Sequence, residues 1–374
     1  MAPTPFEWLS VKFGQYYAAA RPAIPHVERR EFGFGGWEKK IEFRHISVRN
    51  ESDLWARLRQ DRPLYVSASA AYYEFPDARP MARKNWQGAD LIFDLDADAH
   101  SCAPFTCPDC MDTIRGKTVK LIEDFLLPDF GLTRQELHVN FSGSRGYHVR
   151  VYKKEIEPLG REERREIVDY IEGAGLDYNQ FLREETVPGT HFKRLAGPTP
   201  EMGGYGGKFA REIIRLSRDP ASSGRISSKL KKKEEADRFV AGIESGNWSA
   251  LSIPKAEEKF KDIFGSLRIK VSDQLDANVT ADTSKILRLP DSIHGGSGLI
   301  AKTIPASVSA AEYQPYRDAL AFSMSKKESV KLLRDVPSIE FGGQTHEALA
   351  KDATVELPEA YAVFLVCKKA AVPA

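Results

Sequence analysis

The chain has 374 residues, of which 42% are hydrophobic and 29% are charged, and its formal net charge is +1. This length allows one large domain with insertions or two domains, and the composition is that of a globular protein with a sizeable core. The small net charge neither supports nor excludes a nucleic-acid partner, because carboxylates at a metal site can offset a basic groove.

Neither a membrane span nor a secretory signal is expected. The sequence has no run of about 18 apolar residues, which a transmembrane helix requires. Residues 1–17 lack the basic-then-apolar order of a secretory signal, so we expect a cytoplasmic protein. Three of the four cysteines lie between positions 102 and 110, and in a reducing compartment such crowding indicates a metal more than disulfides.

Helix and strand patterns alternate in the first part of the chain. They predict, in order, a helix over 5–20, strands over 40–48, 63–70 and 90–97, a helix over 114–126, and strands over 137–141 and 147–152. The turn Ser142–Gly146 joins the last two strands.

The second part of the chain changes character. From about 160 to 265 the pattern is helical and highly charged, and strands and loops then return, followed by a short apolar run over 362–366. We therefore predict an α/β (α+β) fold. Its core is contributed by residues 1–160 and 263–374, and residues 161–262 form a mostly helical insertion.

The strand over 90–97 carries closely spaced carboxylates. Alternate residues of a strand face the same side, so Asp94 and Asp96 share a face with Asp90 and Asp98. Neighbouring carboxylates repel one another, and shared divalent cations such as Mg²⁺ relieve the repulsion. Such a pair also arises often by chance, and a strand end with solvated acids is an equal alternative. The apolar residues of the strand favour a position central to a sheet.

Two further segments carry groups that suit phosphate. In FSGSRGYH (141–148), two glycines allow a tight turn with outward N–H groups, and Ser142, Arg145 and His148 add polar donors. A plain hairpin turn is the alternative. In the segment 275–298, Arg288 and His294 suit phosphate contacts.

The same segment, 275–298, offers a third carboxylate. Either Asp276 or Asp282 could complete a metal site with the acids of the strand. Asp291, beside a proline, has the character of a turn residue.

A knuckle over 99–111 predicts a structural zinc site. Its four ligands would be His100, Cys102, Cys107 and Cys110, which fill a tetrahedral shell and leave no position for substrate. The alternative is a solvated histidine with free cysteines, and the remaining Cys367 is expected to be a buried thiol. The basic run 229–233 could contact phosphates, although a solvated helix face is favoured.

These segments, in this order, resemble the small catalytic subunit of archaeal and eukaryotic DNA primase, and the archaeal branch is the better fit. The resemblance covers most of the chain from about 5 to 300. The matching motifs are DLIFDLDAD (90–98), the knuckle (100–110), FSGSRGYHV (141–149) and LDANV…LRLPDSIHGGSG (275–298). Weaker matches are REFGF (30–34), FRHISV (43–48), MARKNWQGADL (81–91) and LPEAYAVFL near the C-terminus.

The resemblance implies roles for individual residues. Asp94 and Asp96 would bind the catalytic Mg²⁺ or Mn²⁺ ions, and Asp276 is favoured over Asp282 as their third ligand. Nucleotide phosphates would be bound by five residues: Ser142, Arg145, His148, Arg288 and His294. Glu31 and Arg44 match positions near the active site. Compared with the eukaryotic form, Ser144 replaces a second arginine, Arg288 replaces a lysine and His100 replaces a cysteine.

The resemblance also implies a fold and an activity. The fold is a mixed β-sheet catalytic core with a zinc-knuckle insertion and a small helical subdomain. The activity is template-directed primer synthesis on single-stranded DNA from nucleoside triphosphates, with release of pyrophosphate, at the replication fork of an archaeal cell. A large subunit with an iron–sulfur cluster would be the partner. The alternatives are a repair or translesion primase-polymerase and a non-catalytic zinc-bearing nucleic-acid-binding module.

Overall fold

The computed structural model of the chain describes residues 3–97, 105–250, 256–269, 276–305 and 312–374. The chain divides into two compact units. The first comprises 1–119, 133–165 and 272–374, and the second comprises 120–132 and 166–271. The segment 120–132, which the sequence places in the core, thus belongs to the second unit. No helix in the described ranges is long and apolar enough to cross a membrane.

The helices of the described residues are mostly short. They are α1 (Pro5–Ala19), α2 (Glu51–Asp61), α3 (Pro108–Lys120), α4 (Arg161–Glu172), α5 (Gly204–Arg218), α6 (Lys233–Glu244), α7 (Ala256–Ser266), α8 (Ala277–Ala281), α9 (Pro315–Asp318) and α10 (Glu359–Cys367). A π-helical segment, Leu121–Leu126, directly follows α3. The predicted helix over 114–126 therefore corresponds to the end of α3 and this segment.

The strands are likewise short. They are β1 (Phe32–Gly35), β2 (Phe43–Ile46), β3 (Tyr65–Ser69), β4 (Ala71–Tyr73), β5 (Trp86–Ala89), β6 (Leu91–Asp96), β7 (Leu137–Phe141), β8 (Gly146–Val151), β9 (Arg183–Thr186), β10 (Lys193–Ala196), β11 (Ile286–Arg288), β12 (Thr303–Ile304), β13 (Lys327–Leu332), β14 (Ile339–Phe341), β15 (Gln344–His346), β16 (Thr354–Pro358) and β17 (Ala371–Pro373).

Two four-stranded sheets form the centre of the first unit. One has the order β11-β3-β1-β2 and the other the order β12-β7-β8-β6. The α/β class is confirmed, but the sheets differ from the mixed sheet that the resemblance implies. Every pairing between the strands named above is antiparallel. Several pairs, among them β7–β8 and β14–β15, are consecutive strands with short connections, which only antiparallel neighbours can use.

Strand β6 lies at the end of its sheet and not at its centre. In the described part of the chain it pairs with β8 alone. It is nevertheless apolar because both of its faces are covered. Phe93 and Leu95 are fully buried, and on the opposite face Ile92 packs with Ala70 of the β3–β4 connection and Val279 of α8. A covered terminal strand thus has the composition of a central one.

The N-terminal and C-terminal helices pack into the first unit. Helix α1 begins at Thr4, whose side chain forms a capping box with Glu7. Its Lys12 lies 2.5 Å from Glu359, the first residue of α10. All nine residues of α10 are buried, and they include the apolar run predicted over 362–366.

The second unit has an aromatic core of its own. Phe209 of α5 stacks on Trp248 with ring centroids 5.1 Å apart, and Phe260 and Phe264 of α7 pack edge-on against it. Asp129 accepts hydrogen bonds from Lys208 and Tyr170. The lysines of the run 229–233 are all exposed, which both interpretations of that run allow.

Candidate active site

Three carboxylates come together where β6 ends and α8 begins. Asp94 and Asp96 lie on β6, and the backbone N–H of Asp276 donates to the Asp94 carbonyl oxygen over 3.0 Å. Asp276 is also the N-cap of α8, since its Oδ1 accepts from the N–H groups of Asn278 and Val279. The cap fixes one oxygen of this carboxylate against the helix. Asp282, the alternative third acid, instead accepts from Ser284 in a local turn.

Burial and neighbouring acids raise the pKa of both carboxylates on β6. Burial, together with the charges of Asp96 and Asp276, raises the pKa of Asp94 to about 8. Burial also raises the pKa of Asp96, although Arg145 and Lys40 oppose that shift. The buried Oδ1 of Asp94 accepts no hydrogen bond from any described residue. A divalent cation would satisfy this oxygen and relieve the repulsion, so the donor set fits Mg²⁺ or Mn²⁺.

The three acids do not form a closed metal centre. Over the described ranges, no group of three or more His, Cys, Asp or Glu side chains has the arrangement needed to hold an ion. The three acids therefore lie on neighbouring backbone segments, but their carboxylate groups do not meet at one point.

The turn between β7 and β8 lies directly beside these acids. The β6–β8 register pairs Asp96 with Gly146 and Asp94 with His148. The turn is closed by Ser142, whose N–H donates to the Gly146 carbonyl and whose Oγ accepts from the Gly146 N–H. The Ala97 N–H donates to the Arg145 carbonyl over 3.1 Å, which ties the turn to the end of β6.

His148 contacts the acid cluster as a neutral ring. Its Nε2 lies 3.4 Å from Oδ1 of Asp94, and its Nδ1 lies 3.5 Å from the side-chain nitrogen of Asn140. Burial lowers the pKa of His148 to about 3, and the charges of Arg150 and Arg288 act in the same direction. With Nδ1 accepting from the amide, Nε2 is the protonated nitrogen and can donate.

Arg288 and His294 complete the surroundings of the turn. The Arg288 guanidinium lies 4.9 Å from the ring centroid of Tyr65, and the His294 ring packs edge-on against the same tyrosine. Burial lowers the pKa of Arg288 to about 10, still well above neutrality. Its buried Nε and Nη1 form no hydrogen bond with the described residues. A cation with unused donors is therefore held in the site.

Gly143 allows the turn to approach His294. Its φ is +84°, and a Cβ at this position would lie 2.6 Å from the His294 Cβ. Any other residue would be strained here for both reasons. The Ser297 hydroxyl donates to the Gly143 carbonyl over 2.5 Å, which fastens the turn to the loop that carries His294. Burial and the nearby Arg288 hold the pKa of His294 well below its usual value.

Comparison with known proteins identifies the family. The family model described as DNA primase small subunit matches residues 93–304, which include the three acids and the five proposed phosphate-binding residues. The chain belongs to this family. It is 33% identical to the DNA primase small subunit PriS of Methanothrix thermoacetophila, over 96% of this chain and 97% of that protein. It is 34% identical to PriS of Methanosarcina barkeri, over 96% and 95% of the two chains. Like its family, it is an enzyme, a nucleotidyltransferase that makes primers on DNA templates.

Several residues of this candidate site are not evident from the sequence. The charge of Lys40, in the β1–β2 loop, acts on both Asp96 and His294, and that of Lys285 acts on Asp94. Arg150 of β8 donates to the Arg288 carbonyl over 3.2 Å. The only sequence signal for Arg150 is that it follows His148 by two residues, which places both side chains on the same face of the strand.

Glu31 and Arg44 form an ion pair on the first sheet. The Arg44 Nε lies 2.9 Å from Glu31, and the buried Lys84 lies 3.5 Å from the same carboxylate. Burial raises the pKa of Glu31, but the hydrogen bond and charge of Arg44, with the charge of Lys84, outweigh it and lower the pKa overall. The pair therefore remains charged.

The predicted zinc knuckle is described only in part. Cys107 and Cys110 lie at the start of α3 with a Cα–Cα distance of 5.3 Å, and their sulfurs are joined as a disulfide. A disulfide and zinc ligation exclude each other, since zinc binds the two thiolates. His100 and Cys102 lie outside the described residues. Cys367 is buried in α10, and burial raises the pKa of its thiol.

Proposed function

We propose that this chain makes primers for replication by metal-dependent nucleotidyl transfer on single-stranded DNA. The observation that carries the proposal is that closely spaced acids lie beside an arginine whose donors form no hydrogen bond. Asp94, with a pKa raised to about 8, lies on the strand paired with the phosphate turn, and Arg288 offers buried donors beside that turn. Divalent cations would replace the Asp94 proton, and the triphosphate that they accompany would accept hydrogen bonds from Arg288.

Asp94, Asp96 and Asp276 are the residues that would hold Mg²⁺ or Mn²⁺. When bound, such ions supply charge neutralisation of the triphosphate and acidification of the attacking 3′-hydroxyl. The cap on α8 leaves one oxygen of Asp276 available, and the buried Oδ1 of Asp94 accepts no hydrogen bond, although Nε2 of His148 lies 3.4 Å away. The chain itself thus supplies three acids from two backbone segments linked by a hydrogen bond.

The triphosphate would be bound by Ser142, Arg145, His148, Arg288 and His294. The two arginines supply permanent positive charge, and the two histidines are neutral at physiological pH because their pKa values are low. The histidines therefore act as hydrogen-bond donors that orient the phosphates and add no charge. Such fixed donors favour the charge that develops as pyrophosphate leaves.

Zinc is proposed as a structural ion in the knuckle 99–111, with His100, Cys102, Cys107 and Cys110 as ligands. The Cys107-x-x-Cys110 spacing is that of a chelating pair, and the two thiols must be reduced before they can bind zinc. Metal analysis of protein purified under reducing conditions tests this ligand set. One zinc per chain, lost in Cys110→Ser, is expected; zinc-free protein with intact thiols contradicts it.

A large subunit is proposed as the partner, because the family name describes a small subunit. With one cysteine outside the knuckle, this chain has no set to ligate an iron–sulfur cluster, so the cluster would belong to the partner. All eight proposed site residues lie in the first unit. We assign catalysis to that unit and propose the second, mostly helical unit as the candidate docking surface.

The deciding experiment uses an unprimed single-stranded template. The chain is incubated with Mg²⁺ or Mn²⁺ and with ribonucleotide or deoxyribonucleotide pools, with and without a large subunit. We expect new primers that depend on the metal and are absent with Asp94→Ala/Asp96→Ala. Extension of preformed ends alone would instead indicate a repair polymerase, and metal-independent synthesis would contradict the assignment of the acids.

A further inference from the structure

Strands β4 and β5 form a two-stranded hairpin with exposed aromatic side chains. The segment from Ala71 to Ala89, here called the aromatic hairpin, leads directly into β6. Phe75 is 51% exposed and Trp86 is 40% exposed. Large aromatic side chains can bury a large apolar surface area on binding. Two of them exposed on one short hairpin therefore indicate a binding surface.

Two arginines lie between these aromatic residues in the chain. Arg79 and Arg83 are both exposed. Arg79 donates one hydrogen bond, over 3.2 Å, to the Arg44 carbonyl, and Arg83 has no ion pair with the rest of the described chain. Lys84 is different: it is fully buried and lies 3.5 Å from Glu31. The hairpin thus buries one cation as a structural partner and leaves two available.

The hairpin is fixed in place by hydrogen bonds. The Phe75 N–H donates to the Lys84 carbonyl over 3.0 Å, and the Glu74 N–H donates to the Asn85 carbonyl over 3.1 Å. Asp77 accepts from the Ser47 hydroxyl just beyond β2, which ties the hairpin loop to the first sheet. Because the loop is tied down, its aromatic and cationic groups are held in place before a ligand binds.

We propose that the aromatic hairpin binds the single-stranded DNA template. Stacking on aromatic rings, combined with cations along the backbone, is how proteins hold single strands without reading their sequence. Phe75 and Trp86 provide the stacking faces, and Arg79 and Arg83 contact the phosphates. This inference rests on the proposed primase function and assigns a surface to its template.

The hairpin can contact the template only near the reacting nucleotide. Trp86 precedes Asp94 by eight residues, so at about 3.3 Å per residue the two Cα atoms are at most about 26 Å apart. A stacked strand advances about 3.4 Å per nucleotide. The contact therefore falls within about eight nucleotides of the site.

Binding of oligothymidylate to the full chain tests the proposal by fluorescence anisotropy. Because stacking contributes about 1–3 kcal/mol per base, Trp86→Ala should weaken binding by about 5- to 150-fold. Trp86→Phe should retain most of the affinity. The double variant Arg79→Gln/Arg83→Gln should flatten the plot of log affinity against log salt by about 1.4, since each phosphate contributes about 0.7 for single strands.

The matched control is Phe192→Ala, which removes an aromatic residue that is 77% exposed in the second unit. It should leave DNA affinity unchanged. The KM for nucleotides should be unaltered in all hairpin variants, whereas that for template should rise in the alanine and glutamine variants. Circular dichroism and the Tm check that Trp86→Ala folds. If Trp86→Ala does not fold, the Trp86→Phe variant and the double arginine variant still test the proposal.

The possible failures are distinguishable. An active wild-type enzyme whose hairpin variants bind and extend templates normally would overturn the hairpin assignment alone. A wild-type chain that binds single strands through the hairpin but incorporates no nucleotide would overturn the proposed activity alone. Weakened binding in Trp86→Ala and Phe192→Ala alike would also contradict the hairpin assignment, because the effect would then not be local.

Discussion

The two ends of β6 carry the same residue type in opposite electrostatic surroundings. Asp90, just before the strand, is buried and lies 2.8 Å from Nη1 of Arg30, and it also accepts from the Tyr72 hydroxyl. Asp94 and Asp96, near the other end, have acids as close neighbours, and burial raises the pKa of both. One end is neutralised by the fold, and the other is left for a ligand to neutralise.

This difference separates structural from functional carboxylates. A buried charge that the fold itself pairs contributes to a fixed structure, whereas closely spaced acids that repel one another are retained at the expense of stability. The sequence indicates that these residues share a strand but not which are paired. Asp90 is the partner of Arg30, a fully buried arginine.

The largest expected effect is on activity at the unneutralised end. Asp94→Asn/Asp96→Asn should reduce nucleotide incorporation by at least about 10³-fold, because the site loses the charges that hold the cations. Incorporation of labelled nucleotide on a primed template, at saturating metal, measures the loss. Near-normal activity in a folded double variant would show that the acids are not the metal ligands.

A substitution at the neutralised end of β6 should change stability and not activity. Asp90→Asn leaves the buried Arg30 without its counter-ion, and breaking a buried pair from one side lowers the free energy of unfolding by about 3–5 kcal/mol. Thermal unfolding followed by circular dichroism measures it. The control Asp61→Asn breaks an exposed pair with Arg57 and should change stability by less than about 1 kcal/mol. Equal changes in the two variants would contradict the distinction between the ends.

Arg288 sharpens the comparison from the cationic side. Arg288→Gln should lower kcat/KM for nucleotides by about 10²-fold, as for loss of one preorganised donor to a developing charge. Arg288→Lys keeps the charge but not the forked donors, so we expect an intermediate loss. Steady-state kinetics with varied nucleotide measures both. If glutamine and lysine were equally harmful, the donor geometry and not the charge would be decisive.

The sequence predicts local structure well where one strand pattern dominates. Strand β7 has the predicted bounds, β8 differs by one residue at each end, and α1 differs by one at its end. The expected central position of β6 was wrong, because burial by α8 and the β3–β4 connection produces the same apolar pattern as burial by neighbouring strands. The antiparallel pairing of the strands likewise depends on how the chain connects them, which cannot be predicted from composition.

The site is harder to predict than the strands. The order of the motifs brings Asp94, His148 and Arg288 into one region, since β6 pairs with β8 and Arg150 connects β8 to β11. Lys40 and Lys285 carry no motif and act through space on the acids. Their contribution depends on tertiary distances that no residue spacing encodes.

Stability without metal gives a smaller test of the same idea. The pKa of Asp94 is raised above its value of 3.8 to about 8, so the folded state binds this proton more tightly and its stability falls as pH rises between those values. In metal-free buffer at pH 8, Asp94→Asn should therefore raise the Tm by a few degrees, about 2–4 °C per kcal/mol. A lower Tm would show that the charged form is stabilised.

Metal binding at several pH values tests the central claim most directly. Calorimetric titration of the protein with Mn²⁺ at pH 6, 7 and 8 should show affinity rising by up to about tenfold per unit, because Asp94 must release its proton before it binds the ion. Proton release should accompany binding below pH 8, and Asp94→Asn should abolish the pH dependence. An affinity that is independent of pH, or that is unchanged in Asp94→Asn, would contradict the account.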